Sequence, residues 1–243
     1  MIRLYTFPDC LPGTPDPSGF VVKLMTIFSL AGIPYTRIPI QNPSQGPKGK
    51  VPFIEDNGVV LGDTTHILEY LHRAYGLDLD LHLSALEKAQ SHALQRLLEE
   101  RLYWVIVYSR WMDAANQGFA RTVLFKDVPW PIRGLITRMA TKTVRQALHH
   151  QGLGRHTGDE IYQMGLSDIN AVRAVLDDKP FLFGDRPSVA DATAFGMLIN
   201  IAGPDVPSPL RDLVHDTPSL ITYLERMHLL YPQQSRETRQ QAA

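Results

Sequence analysis

Gly49-Lys50-Val51-Pro52-Phe53-Ile54-Glu55-Asp56-Asn57-Gly58-Val59-Val60-Leu61-Gly62-Asp63-Thr64-Thr65-His66-Ile67 is the stretch on which the fold turns. Residue by residue it reads as a strand, a tight turn, a second strand and the entry to a helix. Pro52 cannot donate to a sheet ladder, so Val51 and Pro52 belong at a strand start or carry a special peptide bond. Asn57-Gly58 is a hairpin signal, because both central residues of that turn need positive φ. Gly62-Asp63-Thr64-Thr65 then sets a loop, a carboxylate and hydroxyls before an amphipathic helix, which Ile67, Leu68, Leu71 and Ala74 carry to Tyr75. Such a helix start offers free N–H groups and a partial positive charge to an anion.

Upstream, Ile2 to Phe7 alternates as a short strand, and prolines at 8, 12, 15 and 17 forbid regular structure in the loop that follows. Ser18 caps a helix that runs to about Ala31 and stops at Gly32. Tyr35 to Ile40 is a second strand, which completes a βαβ unit. Downstream, Gly76 to Leu83 reads as a linker, and after it no convincing strand occurs. One long helix is predicted over Ser84 to Ala115, a loop over Asn116 to Trp130, and a helix with a basic outer face over Pro131 to His150. Residues 151–156 break the chain before a helix over Thr157 to Leu176, whose first turn holds Asp159 and Glu160. Ser188 and Asp191 match a capping box for a buried helix, Ala192 to Ala202, and a last helix spans Pro218 to Tyr231. Residues 232–243 are polar and expected to be flexible.

Composition bounds the function. The 243 residues suffice for a sizeable core, and 24 Lys and Arg against 25 Asp and Glu give no basic excess for nucleic acid. The single cysteine, Cys10, excludes an internal disulfide and fits a reducing, cytoplasmic setting. No apolar run approaches the roughly 18 residues that span a bilayer. The dispersed histidines at 66, 72, 82 and 92 form no ligand set, so no metal site is expected.

A small βαβ-ββα unit with Val-Pro before a strand and Asp-Thr at a helix start, followed by an all-helical region, resembles the glutathione transferase superfamily. The segments Pro47 to Ile54, Tyr108-Ser109-Arg110-Trp111, Gly152 to His156 and Phe183-Gly184-Asp185-Arg186-Pro187 resemble its failed-axon-connections-like branch, related to metaxins. The resemblance implies a thioredoxin-like α/β domain over 1–77 and an all-α domain over 84–231. It implies a cis-proline at Pro52 and pairing of the Val51 backbone with the peptide backbone of glutathione. Asp63 would meet the γ-glutamyl ammonium, Thr64 and the helix N-terminus its carboxylate, and Lys50 the tripeptide. A homodimer is expected by the same likeness.

A thiol of pKa about 8.5 is only a few per cent thiolate at neutral pH. Lowering that value by two units requires about 2.7 kcal/mol of preferential interaction. Ser18 is the candidate donor, standing where the branch often has Ser-Pro-Phe. Glycine at 19 restores φ freedom and loosens that entry. Ser18 as a simple N-cap is the competing reading. Tyr5 is a rival donor or a core strand residue, and Cys10 a rival nucleophile or a loop thiol of modest reactivity. Tyr103, Tyr108, Arg110, Trp111 and Phe119 are candidates for an electrophile pocket, although Arg110, Arg155 and His156 equally suit a role in bracing helices. Asp191 is expected to be structural.

Two functions follow from the resemblance. One is a glutathione-dependent transferase acting on a small, apolar electrophile, with thiol transfer through Cys10 as a lesser variant. The other is a binding or scaffold protein that kept the fold without the chemistry.

Overall fold

The hairpin around Asn57-Gly58 forms the outer edge of a four-stranded sheet. The structure, a computed structural model, describes residues 1–231, so the expected flexible tail at 232–243 lies outside the described residues. Strands β1 (Ile2–Thr6), β2 (Tyr35–Pro39), β3 (Phe53–Asp56) and β4 (Val59–Gly62) lie in the order β2-β1-β3-β4. β2 runs parallel to β1, with Ile2 opposite Tyr35, and β3 runs antiparallel, with Leu4 opposite Ile54. Asp56 faces Val59 across the turn, and Asn57 and Gly58 have φ of 48° and 81°, the two positive values that the hairpin signal required.

Period-two alternation divides the sheet. Ile2, Leu4 and Ile54 are buried with Val21, Leu24 and Phe28 of α1 (Gly19–Leu30) and with Ile67 and Leu71 of α2 (Thr64–Tyr75). Tyr70 and Tyr75 each donate a hydrogen bond to Asp56, at 2.9 and 2.6 Å, which fixes α2 to β3. α1 is buried on nearly all sides, as expected of a helix apolar all round.

The rest is helical: α3 (Ala85–Leu97), α4 (Tyr103–Trp111), α5 (Trp130–Gln151), α6 (Gly158–Leu176), α7 (Val189–Ala202), α8 (Pro209–His215) and α9 (Pro218–Leu230). The long helix predicted over Ser84 to Ala115 is interrupted by a π turn, Leu98–Leu102, and stops at Trp111. It stops because Asp113 turns the chain: its carboxylate accepts the Ala115 N–H at 2.9 Å and the Tyr162 hydroxyl. The π turn buries Glu99 toward α1 and lets Arg101 grip the buried Asp168 of α6. Within the stretch read as loop, Ala120–Leu124 forms a second π turn. Helix α8 was not predicted, although Ser208 caps it, Pro209 opens it, and Leu210 and Val214 are its buried face.

α1 and α7 hold the two halves together. Both are apolar on almost every side, and they meet where Gly19 crosses Gly196. A Cβ on Gly19 would lie 2.9 Å from the Gly196 carbonyl oxygen and 2.8 Å from Met197 Sδ, so the backbones approach as no larger residue permits. The Ser188–Asp191 capping box forms as predicted. Asp191 also accepts the Leu182 N–H at 2.9 Å and the Tyr223 hydroxyl at 3.1 Å, which gives it a structural role in the core.

Candidate functional site

The peptide bond between Val51 and Pro52 is cis. Among the described residues the Val51 backbone makes no hydrogen bond to a neighbouring segment, so its polar groups remain available at the mouth of β3. Lys50, beside it, is exposed.

Gly62 pairs with Phe53, so Asp63 leaves the hairpin at the same open end, where it holds a φ of 82°, which an L-residue rarely adopts. Its carboxylate accepts the Thr65 N–H at 2.9 Å and caps α2. Thr64 follows as the first helical residue, only 5% exposed. Its hydroxyl has no hydrogen-bond partner among the described residues, although it sits beside the free N–H groups of a helix start. Positive φ at a non-glycine cap and an unpartnered hydroxyl suit an anion-binding corner better than a plain cap.

Ser18 caps α1. Its Oγ accepts the Val21 N–H at 3.4 Å, and its own N–H donates to Asp16 at 2.8 Å. The cap uses a lone pair and leaves the hydroxyl proton free, so capping and donation to a ligand are compatible in one side chain. The proline-rich loop before it is held firmly. The Arg37 guanidinium donates to Asp16 at 2.9 Å, to Asp9 at 2.5 Å, to the Phe7 carbonyl at 2.9 Å and to the Thr6 hydroxyl at 2.9 Å. From the helical side, Arg110 donates to the Pro17 carbonyl at 2.8 Å, and Asn200 to the Asp16 carbonyl at 3.2 Å. Glycine at 19 therefore does not loosen the entry: it serves the α1–α7 crossing, and side chains on either side immobilise Ser18.

The electrostatics of this entry are unusual. Burial pushes the Asp16 carboxyl up to about 7, against the pull of Arg37 and of the Ser18 N–H. Burial lowers Arg110 to about 10. On the next turn of α1, Lys23 is 1% exposed and its ammonium lies 2.6 Å from Glu99 of the π turn. Burial pulls Lys23 down while Glu99, and more weakly Asp63, pull it up.

The rival groups stand elsewhere. Tyr5 stacks on Phe53 with ring centroids 4.1 Å apart and donates to Glu55 at 2.8 Å, a bond that raises its pKa. Cys10 is buried in the proline-rich loop, where burial and then the Asp16 charge raise its thiol pKa, opposite to what a nucleophilic thiolate needs.

The pocket candidates are not brought into one cavity. Tyr103 packs edge-on to Phe20, the second residue after Ser18, at 5.0 Å between centroids, and with Arg110 it reaches the α1 entry. Tyr108 packs on Tyr162 and against Gly158 at the start of α6. Trp111 packs on Phe125, and Phe119 leads into the second π turn. Arg110 is a brace, its second nitrogen held by the carbonyl and side-chain oxygens of Asn200 at 2.6 and 2.8 Å. Arg155 donates to the His149 carbonyl and His156 sits 3.7 Å from Glu160, so both secure the turn between α5 and α6.

Comparison with known proteins bears on this arrangement. Residues 19–116 match the glutathione S-transferase N-terminal domain and residues 165–227 the glutathione S-transferase C-terminal domain. The isoprene-epoxide–glutathione S-transferase of Rhodococcus sp. strain AD45 is 33% identical over 240 residues, covering 95% of this chain and 99% of that protein. The chain belongs to the glutathione transferase family. Failed axon connections of Drosophila melanogaster is 30% identical over 93% of this chain, which spans 57% of that protein, and metaxins are among the relatives. Of solved structures, a beta-etherase from Sphingobium sp. strain SYK-6 superposes with a TM-score of 0.64 at 17% identity, over 100% of this chain and 99% of that one.

For a member of this family, Val51, Pro52, Asp63 and Thr64 are grouped at one corner and Ser18 at the start of α1. What reading the sequence missed is the support: Asp16, Arg37, Lys23, Glu99 and Asn200. Lys23 carried a signal, as the one charged residue in the apolar run Phe20 to Phe28. A buried lysine in such a helix demands a carboxylate partner.

Proposed function

We propose that the protein joins glutathione to a small apolar electrophile, a short-chain epoxide first among them. The observation that carries the reading is the Ser18 hydroxyl, which caps α1 through a lone pair and keeps its proton for a ligand. In this reading the Val51 backbone pairs with the tripeptide, and Asp63, Thr64 and the N-terminus of α2 hold its γ-glutamyl end. Lys50 lies along the tripeptide, and Tyr103 and Phe20 form the apolar wall next to the sulfur.

Ser18 donates to the thiol sulfur and stabilises it as the thiolate, whose proton leaves to solvent. The thiolate attacks an epoxide carbon, the C–S bond forms as the C–O bond opens, and the alkoxide takes up a proton. The product is a hydroxyalkyl thioether, with all atoms conserved. The name of the Rhodococcus relative supports the choice of epoxide. A homodimer and a cytoplasmic location belong to the same proposal.

The test is calorimetry with glutathione, followed by product formation from glutathione and a small alkyl epoxide. Binding weakened in Thr64→Val and turnover lost in Ser18→Ala support the proposal. Binding without turnover for any electrophile, or failure to bind glutathione at all, removes the transferase proposal and leaves the scaffold reading.

A further inference from the structure

Helix α5 shows an apolar face to the outside. Of its 22 residues only Leu148 is fully buried. Met139, half a turn around the helix axis from Leu148, is 63% exposed, and Leu135 and Ile132 on the same side are 62% and 48% exposed. Trp130 stands exposed at the helix start. Three large apolar residues, Ile132, Leu135 and Met139, thus share one outward surface, the kind of patch that marks an interaction site.

The flank of that face is basic. Over residues 121–150, Arg121, Lys126, Arg133, Arg138, Lys142 and Arg145 stand against a single acid, Asp127, in a chain of net charge −1. Arg133 is used locally, donating to the carbonyls of Val128 and Lys126 at 2.9 and 2.6 Å. Arg138, Lys142 and Arg145 are exposed, form no ion pair among the described residues, and line one side of the apolar stripe.

We infer that α5 docks the protein on an anionic lipid surface, with Ile132, Leu135 and Met139 entering the headgroup boundary and Arg138, Lys142 and Arg145 meeting the lipid charges. A helix of this pattern lies in the interface plane. No helix among the described residues is long and apolar enough to cross a membrane, so the contact is with the surface. Other occupants satisfy only half of the pattern. A second copy seated on this stripe would cover the apolar residues and bring no anionic groups to Arg138, Lys142 and Arg145. A nucleic acid gives the apolar residues nothing to enter. The chain's own 232–243 segment contains no large apolar residue to cover the face.

The test is co-sedimentation of the full chain with vesicles of phosphatidylcholine alone and of equal parts phosphatidylcholine and phosphatidylserine. The protein should pellet with the anionic vesicles only, and added salt should release it. Leu135→Asp combined with Met139→Asp should lower the bound fraction about tenfold, as should Arg138→Glu combined with Lys142→Glu. These side chains are exposed, so thermal melting should match the parent protein and exclude misfolding as the cause. Failure to pellet with anionic vesicles overturns the inference, and so does binding that survives the aspartate pair. A change in the free protein's oligomeric state on introducing the aspartates would assign the face to a second copy instead.

Discussion

The Arg110 guanidinium on α4 donates to the Pro17 carbonyl at 2.8 Å, one residue before Ser18, so the helical half of the protein grips the candidate thiol-activating residue by its backbone. Replacing Arg110 by Met leaves the Pro17 carbonyl and both Asn200 oxygens unpaired in the interior. At about 1–3 kcal/mol per unsatisfied group, stability should fall by about 3–5 kcal/mol, read from urea unfolding. At temperatures where the variant stays folded, kcat should fall more than KM for glutathione changes, because Ser18 moves and the γ-glutamyl corner does not. Equal changes in both would assign Arg110 a purely structural role.

Ser18→Ala removes a cap and a donor together. The cap costs about 1 kcal/mol, and loss of the donor should raise the pKa of bound glutathione by about one unit, with kcat about tenfold lower below that pKa. Ser18→Thr retains both functions and should restore most of the activity. Titration of the thiolate absorbance of the complex measures the shift, and an unshifted curve in the alanine variant would show that Ser18 only caps.

Thr64→Val keeps the shape of the buried side chain and deletes the unpartnered hydroxyl. Glutathione affinity should weaken about tenfold by calorimetry, with Thr64→Ser close to the parent. Unchanged affinity in the valine variant would exclude Thr64 from the site.

Asp16 makes the entry sensitive to pH. Its folded-state pKa, pushed up to about 7, exceeds the ordinary carboxylate value, so the folded chain holds a proton that the unfolded chain has released. Stability from this group is full below about pH 4 and declines as pH rises toward about 7. Asp16→Asn should flatten that decline in unfolding free energy across the same range. A parent protein with no slope from Asp16 there would mean that Arg37 holds the carboxylate ionised.

Local chemistry made much of this legible from the sequence. Val-Pro before a strand, Asn-Gly between two strands and Ser-x-x-Asp before an apolar run each encode their geometry within four residues, and each appears where expected. The π turn at Leu98–Leu102 was not legible, because the apolar spacing through Leu94, Leu98 and Leu102 reads as unbroken helix. Within that turn Glu99 meets Lys23, a partner 76 residues away that no local pattern reveals. The role of Gly19 was hidden for the same reason. Alone it reads as a loosened helix entry, and only Gly196 opposite it makes it a contact.

A second glycine pair, Gly13 and Gly203, closes the proline-rich loop on the end of α7 as Gly19 and Gly196 close α1 on its middle. Side-chain contacts can be retuned a methylene at a time, whereas these crossings have nothing left to trim, and any added carbon meets a carbonyl. Gly196→Ala should therefore cost about 1–3 kcal/mol even though alanine favours helix. On the transferase reading proposed above, selection for a new electrophile has little room to work at this seam. It is left with α4 and the turns after it, where aromatic side chains can be exchanged while Ser18 stays in place.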